Sequence, residues 1–416
     1  MIQDYFPISD KLLALDKAVL AQISGSFAEI DALRDENQWR MLQAFTRCRV
    51  GAQHLAGSTG YGYNDAGRAK LEEVFAEVTG SEAALFRHQF MSGTHALTVA
   101  LFGILRPGDT LLAATGRPYD TLVGVLGING DNGQGSLAEF GIHYRQLELK
   151  SGAPDLAAIA EAAPACRVLY LQRSRGYADR PALSPEAIGE AAKAAKAANP
   201  AIVIMVDNCY GEFTQTKEPT HCGADLIVGS LIKNPGGGIA PTGGYIAGRA
   251  DYVEKCACRL TAPGVGGEIG CTGDVLRQLY LGLYFAPGVT AEALKTSVYA
   301  AALFEQLGCA VIPLWRESRN DIITCITAGS EEKLLALCTG VQAASPVDSF
   351  ATPQPWPMPG YDCDIIMAAG AFTLGSSIEL SCDAPVAPPY RAYLQGGLNF
   401  AASRAAVLLA AQKAFG

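Results

Sequence analysis

The sequence predicts an α/β fold in which a large domain with a mostly parallel central sheet is followed by a smaller C-terminal α/β domain. Short apolar runs of strand length alternate with helical stretches through the middle of the chain, which is typical of βα units. Two of these runs end at or just before residues that can do chemistry, Asp207 and Lys233. The 416 residues are also enough for two domains with a sizeable core.

Residues 1–50 are predicted to form an N-terminal helical arm, because apolar and charged positions alternate with helical spacing in Lys11–Ile23 and Ala28–Phe45. From Gly51 to Gly67 the chain is rich in Gly, Tyr, Asn and Ser, a composition that predicts a loop. Long ordered loops usually carry function. This loop opens the large domain, which we predict to span residues 51–288.

The large domain begins with a predicted helix at Arg68–Val78 and a short strand at Ala83–Phe86. The segment Ser92-Gly93-Thr94 then stands just before the apolar run His95–Leu105, so it predicts a helix start whose exposed amides are suited to holding a phosphate. The remaining predicted elements are strands at Thr110–Ala114, Val168–Gln172, Ile202–Val206 and Leu226–Val228, and a helix at Pro185–Ala198.

Residues 289–416 are predicted to form the smaller domain. The Pro-rich segment Ser345–Pro359 is too interrupted for a helix or a central strand and predicts a loop at the surface or at the edge of the site. The other predicted elements are helices at Val289–Leu307 and Leu398–Ala414, and strands at Ala310–Pro313, Asp321–Thr327 and Ser377–Ser381.

The composition excludes several classes of protein. Hydrophobic residues make up 49% of the chain and charged residues 18%, as in ordinary globular proteins. The formal net charge of −9 argues against a nucleic-acid partner, which requires a basic face. The longest apolar runs, such as Leu97–Leu105, are too short to span a bilayer, and the first ten residues carry an acid instead of a basic signal region. We therefore expect a soluble cytoplasmic protein.

No metal site is expected. The twelve cysteines are scattered, and the nearest pair, Cys256 and Cys258, lacks a second pair at zinc-ligand spacing, so we interpret the cysteines as reduced thiols. The histidines His54, His88 and His95 form no i, i+4 ligand pair, and structural or substrate-edge roles fit them better than metal binding.

Asp207 and Lys233 are the strongest indication of function. Asp207 ends the strand-like run Ala201–Asp207, and Lys233 follows the run Ala224–Ser230 and enters a Gly-rich turn. A lysine amine can form a Schiff base with the aldehyde of pyridoxal 5′-phosphate, while a carboxylate keeps the pyridine nitrogen of that cofactor protonated. Ser230 is placed to bind its phosphate. Taken singly, Asp207 could be a helix cap and Lys233 a solvated loop lysine; the pair favours the cofactor.

The ordered set of motifs resembles the fold type I pyridoxal-phosphate enzymes, and more closely the methionine γ-lyase-like, aluminium-resistance protein family related to cystathionine lyases. The resemblance covers nearly the whole chain, and its specificity comes from the order and spacing of the motifs. The matching stretches are YGYNDAGRAKLE (Tyr61–Glu72), SGTHAL (Ser92–Leu97), LRPGD (Leu105–Asp109), RPYDTL (Arg117–Leu122), QRSRGY (Gln172–Tyr177), VDNCYGEF (Val206–Phe213), SLIKNPGGGIAPTGGYIAG (Ser230–Gly248), and IELSCDAP with PPYRAYLQGGL between Ile378 and Leu398.

The resemblance implies a role for three of these residues in the chemistry. Lys233 would be the Schiff-base lysine, and Asp207 would hold the pyridine nitrogen. Tyr119 would stack on the cofactor ring and act as an acid or base near the leaving group. By itself, a tyrosine after a proline in a turn is more often a packing aromatic.

The phosphate would be bound at the start of the helix after Ser92, by Gly93 and Thr94 with help from Ser230. In related lyases a Tyr-x-Arg segment reaches the phosphate from a neighbouring subunit. Here Tyr61 and Tyr63 occupy the matching positions, so the arginine is absent and Arg68 or a hydroxyl would compensate. The resemblance implies a homodimer or homotetramer with shared active sites.

An amino-acid substrate needs a cation for its carboxylate, and the planar fork of arginine suits this group. Arg173 and Arg175 follow a predicted strand of the large domain, where ligands of open sheets gather. Arg391 matches the region where cystathionine lyases keep their carboxylate arginine. Each could instead be a structural arginine; we rank Arg173 before Arg391.

These residues together favour a pyridoxal-phosphate-dependent carbon–sulfur lyase that acts by β- or γ-elimination on a cystathionine-, methionine- or cysteine-type L-amino acid. Thiol, ammonia and a 2-oxo acid would be the products. The same apparatus also supports an aminotransferase, because side chains decide the fate of a shared carbanion. A catalytically silent pyridoxal-phosphate-binding protein is a further alternative. A nucleotide-binding loop is disfavoured because the lysine of KNPGGG precedes the glycines.

Overall fold

A long helix joins two β-sheets in the computed structural model, which describes residues 2–130, 133–358 and 362–416. The helices are α1 (Asp10–Gln22), α2 (Ser24–Arg47), α3 (Ala66–Thr79), α4 (Gly93–Ile104), α5 (Asp120–Leu126), α6 (Leu156–Ala162), α7 (Pro185–Ala198), α8 (Ala250–Leu260), α9 (Leu276–Gln306), α10 (Glu331–Ala343) and α11 (Phe400–Phe415).

The first sheet has seven strands, and all of its pairings are parallel except those of one strand. Its strands are β1 (Ala83–Arg87), β2 (Thr110–Ala113), β3 (His143–Gln146), β4 (Val168–Gln172), β5 (Val203–Asp207), β6 (Leu226–Ser230) and β7 (Gly244–Gly248). They lie in the order β1-β7-β6-β5-β4-β2-β3. Strand β7 runs antiparallel to β1 and β6, while the pairings among β6, β5, β4, β2 and β3 are all parallel. The prediction of a mostly parallel central sheet is confirmed.

Helices cover both faces of this sheet, so its strands are buried on both sides. In β5, Ile204 and Val206 pack with residues of α3, α7 and α9, while Val203 and Met205 pack with residues of α4 and α8. Successive side chains of a strand point to opposite faces. A continuous apolar run therefore suits a strand with helices above and below it, as the sequence pattern predicts.

The second sheet is antiparallel throughout. Its strands are β8 (Val311–Ile312), β9 (Ile323–Thr327), β10 (Trp356–Pro357), β11 (Asp364–Ala368), β12 (Ser381–Pro385) and β13 (Arg391–Gln395), in the order β10-β11-β12-β13-β9-β8. Buried residues of α1, α9, α10 and α11 share one core with this sheet. The N-terminal helix α1 therefore packs with the C-terminal part of the chain.

Helix α9 contributes to both cores. Leu279 and Leu283 belong to the core of the first sheet, whereas Leu294 and Val298 belong to the core of the second. The predicted boundary at residue 288 falls within this continuous helix, and the division into 1–50, 51–288 and 289–416 stays a prediction. Among the described helices, none combines the length and apolar character needed to cross a bilayer.

Several predicted elements match the structure closely, including β4 at Val168–Gln172 and α7 at Pro185–Ala198. The strand predicted at Ser377–Ser381 is wrong: β12 begins at Ser381, because Leu380 has a left-handed φ of 59° that interrupts extended backbone. The helix predicted from Val289 begins instead at Leu276. Proline usually breaks a helix, yet the buried Pro287 is accommodated between two cores, and packing outweighs the missing hydrogen bond.

The C-terminal part of the predicted Pro-rich loop, Pro359, lies outside the described residues. Within the described part, Trp356–Pro357 forms the short edge strand β10, which pairs with β11. Edge positions tolerate proline because the missing amide is not needed by a second neighbour. The prediction of a non-central segment agrees with this position.

The contact between α10 and α11 gives a test of the packing. A Cβ added at Gly340 of α10 would lie 2.5 Å from the Ala410 nitrogen of α11, whereas one at Gly288 of α9 meets no atom within 4 Å. We expect Gly340→Ala to destabilise the protein by about 1–3 kcal/mol through overpacking. The matched Gly288→Ala is expected to stabilise it by about 0.5–1 kcal/mol through helix propensity. Urea unfolding of both variants measures the two changes; equal effects would contradict this packing.

Candidate active site

The carboxyl ends of β4, β5 and β6 and the start of α4 surround a cavity of about 230 Å³. Ligands of open α/β sheets bind at this edge. Seven of the residues predicted from the sequence line the cavity: Ser92, Gly93, Thr94, Tyr119, Asp207, Ser230 and Lys233.

Asp207 is the last residue of β5, and its carboxylate is fixed from two sides. Oδ1 accepts a hydrogen bond from the Cys209 amide at 3.1 Å, and Oδ2 accepts one from the Tyr170 hydroxyl at 3.3 Å. Burial, reinforced by the Asp207 carboxylate, raises the pKa of Tyr170 well above its usual value, so the phenol stays a donor. This geometry orients a carboxylate toward the cavity, as a protonated ring nitrogen requires.

Lys233 lies in the turn after β6, with its Nζ 3.9 Å from the centroid of the Tyr210 ring. Burial by itself lowers the pKa of Lys233, but surrounding acidic groups outweigh burial and hold that pKa above its usual value. Those groups are, in order of effect, Cys209, Tyr210, Asp207 and Glu212, and the first two act in this way only when ionised, since burial raises the pKa of each. The lysine is therefore a cavity residue with defined partners, and the alternative of a solvated loop lysine does not describe it.

The turn that carries Lys233 is packed against α9. Gly237 has a left-handed φ of 56°, and a Cβ there would collide with the carbonyl oxygen of Gly282 in α9. Asn234 adds two hydrogen bonds, from its Nδ2 to the carbonyl oxygens of Glu212 at 2.9 Å and Tyr210 at 3.1 Å. The Gly-rich sequence after Lys233 thus permits close backbone packing that holds the lysine in place.

The start of α4 has the features that suit an anion. Ser92 is its N-cap, and the Oγ accepts a hydrogen bond from the His95 amide at 3.0 Å. A Cβ at Gly93 would lie only 3.2 Å from Ser230 Cβ, so glycine lets the helix start approach the end of β6 closely. The first amides of a helix have no partner within the helix, and they favour anions. With Thr94 beside them, these residues fit a phosphate.

Tyr119 precedes α5 and is positioned by Gln172, whose Oε1 accepts a hydrogen bond from the Tyr119 amide at 2.9 Å. The ring centroids of Tyr119 and Tyr177 lie 6.2 Å apart in an edge-on arrangement. Gln172 is a further residue of the cavity that is not among the predicted site residues. The sequence pattern contains a signal for this position, because Gln172 ends one strand-like run as Asp207 ends another. The two residues are paired in the sheet.

The structure does not bring Arg173 to the cavity. This arginine is fully buried, with its guanidinium 3.1 Å from Glu218 and 2.8 Å from the Asn208 side chain. It also donates to Thr214 at 3.2 Å. A buried charge pair of this kind is costly to break, so Arg173 is engaged in holding the segment after β5. Its predicted role in substrate binding stays a prediction that this position does not favour.

Arg175 and Arg391 also lie outside the residues that line the cavity. Arg175 donates to the carbonyl oxygens of Ile312 at 3.0 Å and Ala178 at 3.1 Å, which ties the loop after β4 to the second sheet. Arg391 begins β13 and forms a partly exposed ion pair with Asp179 at 3.0 Å. Arg391 keeps more access to solvent than Arg173 does, so of the two it is the better placed to reach a ligand. Their roles remain predictions.

Tyr61 and Tyr63 are exposed and do not line the cavity of their own chain. Their rings lie 5.8 Å apart. The loop that carries them is fixed by Arg68, whose guanidinium donates to the carbonyl oxygens of Gly62 at 2.9 Å and Gly270 at 2.6 Å. Arg68 is therefore committed to backbone carbonyls, and compensation for the missing phosphate arginine by Arg68 finds no support in this geometry.

Comparison with known proteins places these features in a family. The profile of the methionine gamma-lyase family matches residues 12–415. Among curated proteins, the uncharacterized protein YnbB of Bacillus subtilis (strain 168) is 47% identical over 384 residues, which is 92% of this chain and 91% of that protein.

Solved structures agree with this comparison. The carbon-sulfur lyase involved in aluminum resistance from Clostridium novyi NT is 47% identical and superposes with a TM-score of 0.95, covering 98% of this chain and 97% of that one. The pyridoxal-5′-phosphate dependent protein YhfS from Escherichia coli shares the fold, with a TM-score of 0.62 at 16% identity over 91% of this chain and 95% of that one.

Two serine caps allow the anion site to be tested. Ser92 caps α4 at the cavity, and Ser184 caps α7 away from it, accepting from the Ala187 amide at 3.1 Å. We expect Ser92→Ala and Ser184→Ala each to cost about 1 kcal/mol of stability. Only Ser92→Ala should weaken binding of pyridoxal 5′-phosphate, measured by equilibrium titration. Equal affinities for the two variants would remove Ser92 from the phosphate site.

Proposed function

The chain belongs to the methionine gamma-lyase family, and from this premise we propose that it is a pyridoxal 5′-phosphate-dependent carbon–sulfur lyase. Its substrate would be a sulfur-containing L-amino acid of the cystathionine, methionine or cysteine type. Elimination at the β or γ carbon would release a thiol, ammonia and a 2-oxo acid. The observation that carries the proposal is the joint placement of Asp207, Lys233 and the start of α4 around one cavity.

Each end of the cofactor has matching residues in this cavity. Lys233 would hold the aldehyde, and the fixed carboxylate of Asp207 would hold the ring nitrogen. The amides of Gly93 and Thr94 with the Ser230 hydroxyl would bind the phosphate, since a helix start favours an anion. When bound, pyridoxal phosphate withdraws electrons from the α-carbon of an amino acid.

Lys233 is the base that this arrangement supplies at the α-carbon. The groups around its Nζ raise its pKa, which favours keeping a proton there once Nζ has accepted it. The Asp207 carboxylate, held in place by two hydrogen-bond donors, would hold the ring nitrogen. One residue would thus move the proton, and the other would maintain the positive charge of the bound ring.

Tyr119 is the residue we assign to the leaving group. Its backbone is held by Gln172, and its ring packs near that of Tyr177 at the cavity wall. A departing thiolate needs a proton, and a phenol at the wall is a suitable donor. An aminotransferase would need the same Lys233 and Asp207. These residues therefore do not distinguish elimination from amino-group transfer, and the reaction products must do so.

The visible absorption spectrum with added pyridoxal 5′-phosphate tests the anchor. We expect a Schiff-base band in the wild type that is absent from Lys233→Ala. Lys255→Ala, a lysine on α8 that does not line the cavity, is the matched control and should keep the band. The cofactor assignment fails if the wild type forms no band or if Lys233→Ala retains it.

The products then identify the reaction. With cysteine, cystathionine, homocysteine and methionine as substrates, the proposal expects thiol and ammonia without any added oxo acid. Turnover that requires a second oxo acid would identify an aminotransferase. A bound cofactor without turnover on any amino acid would identify a silent binding protein.

We further propose a homodimer or homotetramer whose sites are shared. Tyr61 and Tyr63 are exposed on a loop that is fixed in its own chain, as expected for side chains that serve a neighbouring subunit. Four large apolar side chains are also exposed on the adjacent helices α2 and α9, a surface suited to a protein interface. They are Trp39, Leu42, Leu281 and Phe285.

Mixed oligomers test the sharing of sites. Lys233→Ala lacks the anchor, and Tyr61→Ala is expected to bind the cofactor more weakly. If Tyr61 serves the neighbouring site, co-refolding the two variants restores one complete site in each mixed dimer. Product formation above that of either variant alone is therefore expected. Absence of recovery, in a mixture shown by light scattering to contain dimers, would contradict shared sites.

A further inference from the structure

A buried carboxyl group lies next to the lysine turn, outside the residues that line the cavity, and has no part in the mechanism given above. Glu212 follows β5 and is only 2% exposed. Its Oε1 accepts a hydrogen bond from the Tyr245 hydroxyl at 2.7 Å. Its Oε2 is buried and has no hydrogen-bond partner among the described residues. A buried polar atom without a partner costs free energy, so its retention calls for a physical reason.

The position of Glu212 connects it to β6 and to the turn that carries Lys233. Gly229 of β6 immediately precedes Ser230. A Cβ at Gly229 would lie 2.7 Å from Glu212 Oε1, so this glycine leaves room for the Glu212 carboxyl. The backbone carbonyl of Glu212 accepts a hydrogen bond from Asn234 Nδ2 at 2.9 Å. Asn234 is the residue after Lys233, so Glu212 is tied to the turn that carries the lysine.

The groups around Glu212 leave Lys233 as its cationic neighbour. Tyr245 from β7 and Cys209 from the segment after β5 have pKa values raised well above normal by burial, so both are neutral at neutral pH. Glu218 also faces Glu212, but it is paired with Arg173 at 3.1 Å. Two charged side chains in the described structure act on Glu212: Glu218, which is also negative, and Lys233, which is positive.

The charge state of Glu212 changes within an accessible pH range. Burial raises the pKa of Glu212 to about 8, helped by nearby Glu218 and opposed by the Tyr245 hydrogen bond and Lys233. Below this pH the Glu212 carboxyl is neutral. Above it Glu212 carries a negative charge, which favours the protonated form of Lys233 Nζ.

We propose that Glu212 is a positioning residue for Lys233: its backbone carbonyl fixes the lysine turn, and its carboxyl controls how firmly Lys233 Nζ retains its proton. This role rests on the proposed function in taking Lys233 as the reactive amine. The coupling between the two side chains, however, is a property of the protein without cofactor. It can therefore be measured separately.

Competitive labelling of the cofactor-free protein with acetic anhydride measures the proton on Nζ, because only the neutral amine reacts. Mass spectrometry follows the peptide that contains Lys233, with Lys255 as the internal standard. We expect Glu212→Gln to label like the wild type near pH 6, where the carboxyl is neutral. Near pH 9 the variant should label about tenfold faster, equivalent to one unit in the pKa of Lys233.

Infrared difference spectroscopy observes the carboxyl itself. The wild type should show a protonated carboxyl band that disappears as the pH passes about 8, and Glu212→Gln should lack this band. Tyr245→Phe is the second variant. It keeps the carboxyl but removes the donor that stabilises its charged form, so the transition should move to higher pH.

The proposal is overturned if Glu212→Gln leaves both the infrared band and the labelling of Lys233 unchanged. It is also overturned if the band changes while the labelling ratio stays the same at both pH values. A wild type that shows the coupling but forms no Schiff-base band would retain the Glu212–Lys233 interaction and reject the proposed function instead. The two failures are thus distinguishable.

Discussion

The site depends on the parallel pairing of β4, β5 and β6. Because parallel strands place their carboxyl ends at the same edge, Gln172, Asp207 and the segment after Ser230 meet although long stretches of chain separate them. The register is strict, since Gln172 lies opposite Asp207. A register shift of one residue would move Asp207 into the apolar core and expose an apolar neighbour. Burial of both sheet faces therefore also keeps Asp207 at the sheet edge.

Satisfaction of buried polar groups explains which charged residues are left for ligands. Arg173 is committed to Glu218, and Arg68 to backbone carbonyls. Arg87 is likewise paired with Glu72 at 2.6 Å. A charge removed from water needs such partners, so arginines near a site are often part of its support. Lys233 differs because its acidic neighbours also line or underlie a cavity.

The sequence predicted much of the central sheet and the core of the site, for a physical reason. Apolar runs such as Val168–Gln172 report burial directly, and a residue at the end of such a run must lie at the sheet edge. Strand β7 at Gly244–Gly248 was not predicted as a strand, because three small residues give no clear pattern. The ion pair of Arg173 also could not be predicted from the sequence. The residue type shows that Arg173 carries a charge, but the tertiary fold determines that Glu218 is its partner.

Helix α9 has a mechanical consequence for the site. At one end of the helix, Gly282 packs against the turn that follows Lys233, and at the other, Leu294 and Val298 are embedded in the core of the second sheet. Helix α9 thus connects the lysine turn directly to the smaller sheet. Pro287 lies between these attachments, and because proline has no amide donor the helix lacks one backbone hydrogen bond there. Any displacement of the second sheet would therefore either bend α9 at Pro287 or move the turn that carries Lys233.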